Sequence, residues 1–344
     1  MQKKHSLFRA ILAGVTFLGA GLAGNIACAG LVSGDLLVNN FNSNTFQQNP
    51  LIPGNNIQEY STLTTSLMQT YTASGLAWEG ASVTPNGLLA TTYRNDSNGN
   101  YNPGIYLFNG TGAVVSTFKT PEITTFGAGD ISAFADGTLA VSDQGGSVIR
   151  KYSQAGVSLG SIALPGSADV FGNTIDPANT MWAADSAGHH LFHINESGSS
   201  VTTLNLTFAP SDLAIDPNDS SLWVADQTNS SVDHLSSSGA VLSTFTVTLP
   251  TGGVITGIAI DPSSELYVVG NNSTAVDVFS TIGHLDSTIP ITPTNSQHLF
   301  LNIVPSGISN IPEPSSVCML ILGSIGIVGR RPRRKDATTS TIEK

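Results

Sequence analysis

Apolar positions between residues 36 and 304 fall in short runs rich in Val, Leu, Ile and Thr, each bounded by Gly, Asn, Asp or Pro. Runs of that kind predict β-strands, and no stretch between the two termini carries a helical period. The runs also repeat. Asp212-Leu-Ala-Ile-Asp-Pro followed by Ser221-Leu-Trp-Val-Ala-Asp226 returns as Gly257-Ile-Ala-Ile-Asp-Pro followed by Glu265-Leu-Tyr-Val-Val-Gly270. Weaker copies begin at Asn173, Ile131 and Ala81, and a sixth starts late, at Leu36. The matching positions Asn40, Tyr93, Asp143, Asp185, Asp226 and Gly270 are 53, 50, 42, 41 and 44 residues apart. That is the size of one propeller blade.

Each unit reads as four strands; in one they are Asp212 to Ile215, Leu222 to Ala225, Ser231 to Leu235 and Val241 to Thr246. The first unit lacks an innermost strand, because Leu36 to Asn39 matches the second strand of the others. Leu299 to Val304 offers the missing apolar run, and pairing it beside residues 36 to 39 removes a sheet edge. The expectation is therefore an all-β, six-bladed β-propeller, residues 30 to 304, closed by a C-terminal strand. The units resemble NHL-type propeller repeats and, more loosely, the gluconolactonase-type six-bladed enzymes, on motifs such as Ala225-Asp226 and Asp216-Pro217. Such a resemblance implies a fold and selects no function.

The two ends follow other rules. Residues 1 to 29 carry Lys3, Lys4 and Arg9, then an apolar stretch from Ala10 to Ala23, then Ala27-Cys28-Ala29, which reads as a signal peptide cleaved after an A-x-A site at Ala27 and Ala29. Cys28 raises a lipoprotein alternative, against which Asn25 stands three residues before it. After a linker at 305 to 311, residues 312 to 335 hold Pro312, Glu313 and Pro314, an apolar run from Val317 to Val328, and the basic cluster Arg330, Arg331, Arg333, Arg334 and Lys335. The segment resembles the PEP-CTERM sorting signal, a type also labelled after ice-binding proteins. That resemblance implies export, transient membrane retention and recognition by an exosortase-type membrane protease. A helix of those 12 apolar residues is about 18 Å long, short against a bilayer core of about 30 Å. The basic cluster and the tail at 336 to 344 are expected on the cytoplasmic side, leaving the propeller outside. An ordinary short C-terminal membrane anchor gives the same topology.

Charge sharpens the picture. The 344 residues hold 13 Lys and Arg against 24 Asp and Glu, but only Arg94, Lys119, Arg150 and Lys151 lie within 30 to 311, against 21 acids, a net charge of 4 − 21 = −17. That excludes a nucleic-acid binder and favours divalent cations or basic partners. Both Cys fall in the targeting segments, so the exported part folds without disulfides.

Candidate chemistry is confined to carboxylates and histidines. Glu79, Asp130, Asp169 and Asp212 read as starting innermost strands, with Asp143, Asp185 and Asp226 in the loops after second strands, all at one mouth of the channel. A ring of carboxylate oxygens suits Ca²⁺. Trp78-Glu79-Gly80 looks like the glutamate that opens the metal site of gluconolactonase-type enzymes. The structural alternative is that Asp143, Asp185 and Asp226 make turns with their own backbone, as Asp176, Asp216 and Asp261 do in Asp-Pro hairpins. His189 and His190 fall in a loop at the same mouth, while His193 and His234 fall in third strands. Two functions follow: an exported, envelope- or matrix-associated binding propeller whose partner is an exopolysaccharide or envelope protein, or a metal-dependent hydrolase or lyase using the acidic mouth.

Overall fold

The structure, a computed structural model, describes residues 30–41, 56–74, 76–96, 100–123, 127–166, 168–250, 253–291 and 298–306. The segments expected to be a signal peptide, a sorting signal with its basic cluster, and a cytoplasmic tail lie outside these residues. Among the described residues no helix is long and apolar enough to cross a membrane.

Six antiparallel four-stranded sheets make up the described chain. From the innermost strand outward, the first holds β24 (His298–Ile303), β1 (Leu36–Phe41), β2 (Asn56–Tyr60) and β3 (Leu67–Tyr71), the second β4 (Leu76–Val83), β5 (Leu89–Asn95), β6 (Tyr101–Phe108) and β7 (Val114–Lys119), and the third β8 (Ala128–Ala133), β9 (Leu139–Asp143), β10 (Val148–Tyr152) and β11 (Ser158–Ala163). The fourth holds β12 (Val170–Ile175), β13 (Thr180–Asp185), β14 (His190–Asn195) and β15 (Val201–Asn205), the fifth β16 (Pro210–Ile215), β17 (Leu222–Asp226), β18 (Ser231–Leu235) and β19 (Val241–Thr246), and the sixth β20 (Ile255–Ile260), β21 (Glu265–Gly270), β22 (Ala275–Ser280) and β23 (Leu285–Pro290). The innermost strands contact one another in a closed cycle, β4, β8, β12, β16, β20, β24 and back to β4. This is the expected six-bladed propeller. Its first blade is split as the repeat pattern requires, with Leu36 opposite Ile303 and Val38 opposite Leu301.

Packing explains why the strands read as apolar runs rather than as clean alternations. Successive side chains of a strand point to opposite faces, and in a propeller both faces of a blade are covered by neighbours. Leu36 and Val38 therefore pack against the sixth blade, with Tyr267, Val269 and Val278, while Leu37 between them packs against the second, with Trp78 and Leu89. A cluster of this kind fills each of the six interfaces. Polarity is left to the outer strands, where Val114, Val115, Val241 and Leu242 are exposed among Ser and Thr.

The register shifts near the start of β4, β8, β12, β16 and β20. Counting back three residues from the pairs Val83–Leu89, Ala133–Leu139, Ile175–Met181, Ile215–Leu222, Ile260–Leu266 and Ile303–Leu36 gives equivalent positions around the axis. They are Gly80, Asp130, Gly172, Asp212, Gly257 and Phe300. Small and large alternate. A Cβ on Gly80 would overlap Asp130 Cα and lie 2.5 Å from Ile131 N, and one on Gly172 would lie 2.8 Å from Asp212 Cα. Glycine is needed at both places because the next blade's backbone and carboxylate occupy the space a side chain would take.

Candidate functional site

The antiparallel register places the starts of innermost strands, the ends of second strands and the starts of third strands at one end of the ring, here the upper end. Asp169, just before β12, and Asp143, Asp185 and Asp226, closing β9, β13 and β17, lie there as expected. Asp130 and Asp212 do not begin their strands. β8 starts at Ala128 and β16 at Pro210, so both carboxylates lie two residues deeper, inside the channel. Glu79 is likewise the fourth residue of β4.

Glu79 and Arg94 form a buried ion pair at the upper end, and Arg94 Nη2 also donates to Gln144 Oε1 at 3.3 Å. Burial pushes the Glu79 carboxyl up to about 8 against the opposing pull of Arg94. Its Oε2 is buried without a hydrogen-bond partner among the described residues. Asp143 accepts from Arg150 Nε at 2.9 Å. Asp226 Oδ1 accepts the Thr228 and Asn229 backbone N–H groups at 2.7 and 3.2 Å, the turn that a short acidic side chain makes with its own loop. Asp185 Oδ1 accepts from the backbone of Gly188 and Asp169, both at 3.0 Å, while its Oδ2 faces His190 Nδ1 at 3.2 Å. His190 is thereby the one sequence-nominated histidine that the structure joins to an upper-end acid. His189 stands in the turn before it with φ 57°. His193 and His234 stack on their cross-strand partners Trp182 and Trp223 at 4.2 and 4.0 Å, so they belong to the blade packing.

Asp130 and Asp212 fasten blades together. Asp130 Oδ1 accepts from Ile131 N at 2.8 Å and Oδ2 from Asn173 N of the next blade at 3.3 Å, with a further backbone bond from Ala81 of the preceding one. Asp212 repeats the pattern, with Leu213 N at 2.9 Å and Ile258 N of the next blade at 3.0 Å. Burial holds both carboxyls well above the usual range, and for Asp212 the charge of Asp130 adds to it. The four carboxylates nominated for Ca²⁺ thus have separate engagements: Glu79 with a guanidinium, Asp130 and Asp212 with backbone amides, and Asp169 beside Asp185. Among the described residues no three His, Cys, Asp or Glu gather as a metal-binding group. The set does not fit one ion.

Below Asp130 and Asp212 the channel widens into a cavity of about 250 Å³ that runs to the lower end. Its walls include Ile215, Ile260, Leu301 and Ile303, and Asn173 lines it beside the two acids. Asn173 Nδ2 donates to Asp130 O at 2.9 Å and to Ser142 Oγ at 2.8 Å, while its Oδ1 has no partner among the described residues. Arg94 and Asn173 were not nominated by the sequence. Arg94 was findable as a lone cation beside an apolar strand, and Asn173 as the polar residue where the other copies carry Ala81, Ile131, Leu213 and Ile258.

No family model matches the chain, and no curated protein does. Solved structures match it. A streptogramin B lyase structure superposes with a TM-score of 0.50 at 17% identity over 76% of this chain and 75% of that one. Virginiamycin B lyase from Staphylococcus aureus gives 0.51 at 18% for a catalytically inactive histidine-to-alanine form with quinupristin, covering 63% of this chain and 71% of that one. A chain of a nidogen/laminin complex gives 0.61 at 13%, over 79% of this chain and 98% of that one. At such identities the likeness is one of fold.

Proposed function

We propose that this chain is an exported binding propeller of the cell envelope or extracellular matrix, sorted through Pro312-Glu313-Pro314 by an exosortase-type protease. One observation carries the binding role. All four cationic residues between 30 and 311 are engaged with their own chain: Arg94 with Glu79, Arg150 with Asp143, Lys151 with the Glu196 carbonyl at 3.2 Å, and Lys119 with the Asn102 carbonyl at 3.3 Å. Two of these cations are spent in ion pairs, so the closed scaffold carries a large excess of acid over its two lysines. Its partner is basic, or is an exopolysaccharide or envelope protein reached through divalent cations. The signal peptide and the sorting segment support the location. Fractionating the native host and measuring the intact mass of the recovered protein tests this. Protein in envelope or medium, beginning near Gly30 and ending near Pro314, is expected; cytosolic protein with Met1 and Lys344 intact overturns it.

A second reading, a hydrolase or lyase at the upper end, is favoured by the Asp185–His190 pair. A carboxylate that orients an imidazole is the arrangement of a general base. The metal-dependent form of this reading is not carried, because its ligands do not gather. Quinupristin, which one of the similar lyase structures holds, is the substrate to try. Turnover seen by mass spectrometry and lost in His190→Gln installs the second reading, and no turnover leaves the binding role standing.

A further inference from the structure

The lower half of the channel turns two features of the blade packing toward one cavity. At its inner end, oxygen acceptors converge on one cavity: the carboxylates of Asp130 and Asp212, 7% and 3% exposed, and the carboxamide of Asn173, also 3% exposed. Below them the walls are aliphatic, from Leu213 and Ile215 on one blade to Ile258 and Ile260 on the next and Leu301 and Ile303 on the closing strand. No lysine, arginine or histidine is among the described residues that line it.

We propose that this cavity is a binding site for a small organic cation, a primary ammonium group bearing a short alkyl tail. The ammonium has three N–H donors and no acceptor, which matches an inner end that offers only oxygens. The carboxylates are already fixed by backbone N–H groups of Ile131, Asn173, Leu213 and Ile258, so binding orders no flexible side chain. Three of the four carboxylate oxygens have a second lone pair left after those bonds and the one from Ala81, and the Asn173 Oδ1 has no partner among the described residues. The charge of Asp130 disfavours that of Asp212, and a cation in the cavity that both line offsets this repulsion. A hydrated inorganic ion satisfies the oxygens but makes no use of the aliphatic walls. An alkyl tail directed toward the lower end uses both. The strongly acidic surface concentrates any cation near the ring. This assignment deepens the binding role above, and its test is independent of where the protein resides.

The probe is a series of alkylammonium chlorides from ethyl to pentyl, titrated calorimetrically into the purified 30–311 chain at constant ionic strength. Saturable one-to-one binding is expected, tightening about four-fold for each added methylene buried against the walls. Sodium at the same ionic strength should give no saturable heat. Asp212→Asn should weaken pentylammonium by at least ten-fold. Should that variant fail to fold, Thr174→Phe keeps both carboxylates and narrows the cavity that Thr174 lines, and it too should abolish binding. Absence of saturable binding at about 50 mM pentylammonium overturns the proposal. So does affinity that ignores tail length, or pentylammonium binding that is unchanged in Thr174→Phe. None of these outcomes bears on export or sorting, which stand or fall on the fractionation experiment.

Discussion

A chain stopped after residue 297 should lose its native fold, whereas one stopped after Ser306 should keep it. The difference is β24. Among the described residues this strand is what the C-terminal side contributes to the first blade, and it contacts β1, β4 and β20 together. Without it, β1 presents an unpaired edge carrying Leu36, Leu37 and Val38, all fully buried in the complete ring. Phe300, Leu301 and Val304 are 5%, 7% and 0% exposed. Burying a side chain of that size contributes about 1.5–3 kcal/mol, so the three alone approach the whole stability of an ordinary domain, about 5–15 kcal/mol. Size-exclusion chromatography and near-ultraviolet circular dichroism of both chains check this. The shorter one should aggregate or lack a cooperative transition, and a peptide spanning 297–306 should restore part of the signal when added. A shorter chain that unfolds cooperatively within about 1 kcal/mol of the longer one defeats the closure argument.

Stability should also fall steeply as pH rises from about 5 to about 9, the reverse of ordinary acid denaturation. Burial pushes Asp35 up to about 6, helped by the charge of Glu59, and pushes Glu79 up to about 8. Glu59, Asp130 and Asp212 are raised by burial as well. In the unfolded chain such carboxyls titrate at about 4. Between that value and the folded one the native state binds more protons, so the stabilisation is complete below the unfolded value and is lost as pH climbs through the folded one. Asp136 and Asp219, lowered by bonds from Thr138 and Ser221, act in the opposite sense and only below about pH 4. A carboxyl that binds its proton ten-fold more tightly in the folded chain than in the unfolded one changes stability by about 1.4 kcal/mol across its titration, roughly 3–6 °C in a chain of this size, so the several raised carboxyls together should lower the melting temperature by roughly 10 °C or more at the alkaline end. Glu79→Gln should make the curve shallower between about pH 4 and about pH 8, where the native state alone holds that proton, and leave the part above about pH 8 unchanged. A melting temperature that is constant, or that rises, over this interval contradicts the assignment of buried acids.

The blades were legible because the inner strands are covered on both faces and read as apolar runs, and because turns at Asp176, Asp216 and Asp261 recur for a local reason. Each of those aspartates caps its hairpin through Oδ1, at 2.8 Å to Thr180, Asn218 and Ser263. The split first blade was legible for the same reason, since an apolar run left over after the sixth unit has one edge to pair with. The depth of Asp130 and Asp212 was not. A register shift is a property of the backbone, and the glycines and acids within it look like turn residues in a sequence. Taking Asp130 and Asp212 as the first residues of their strands shortened those strands by two residues and moved the acids from mid-channel to the mouth. Glu79 was placed at the correct end, but its pairing with Arg94 joins residues 15 apart on adjacent strands, and side-chain reach across a ladder is not encoded in spacing.

The alternation of Gly80, Asp130, Gly172, Asp212, Gly257 and Phe300 gives the ring a parity. Where a bulky residue on one blade fills the hollow left by a glycine on the blade before, neighbours are unlike and the true repeating unit is a pair of blades. A circle can hold such an order only with an even number of members. Duplicating or deleting a single blade would set two bulky residues or two hollows side by side at the axis, whereas gaining or losing two adjacent blades would leave small and large in alternation.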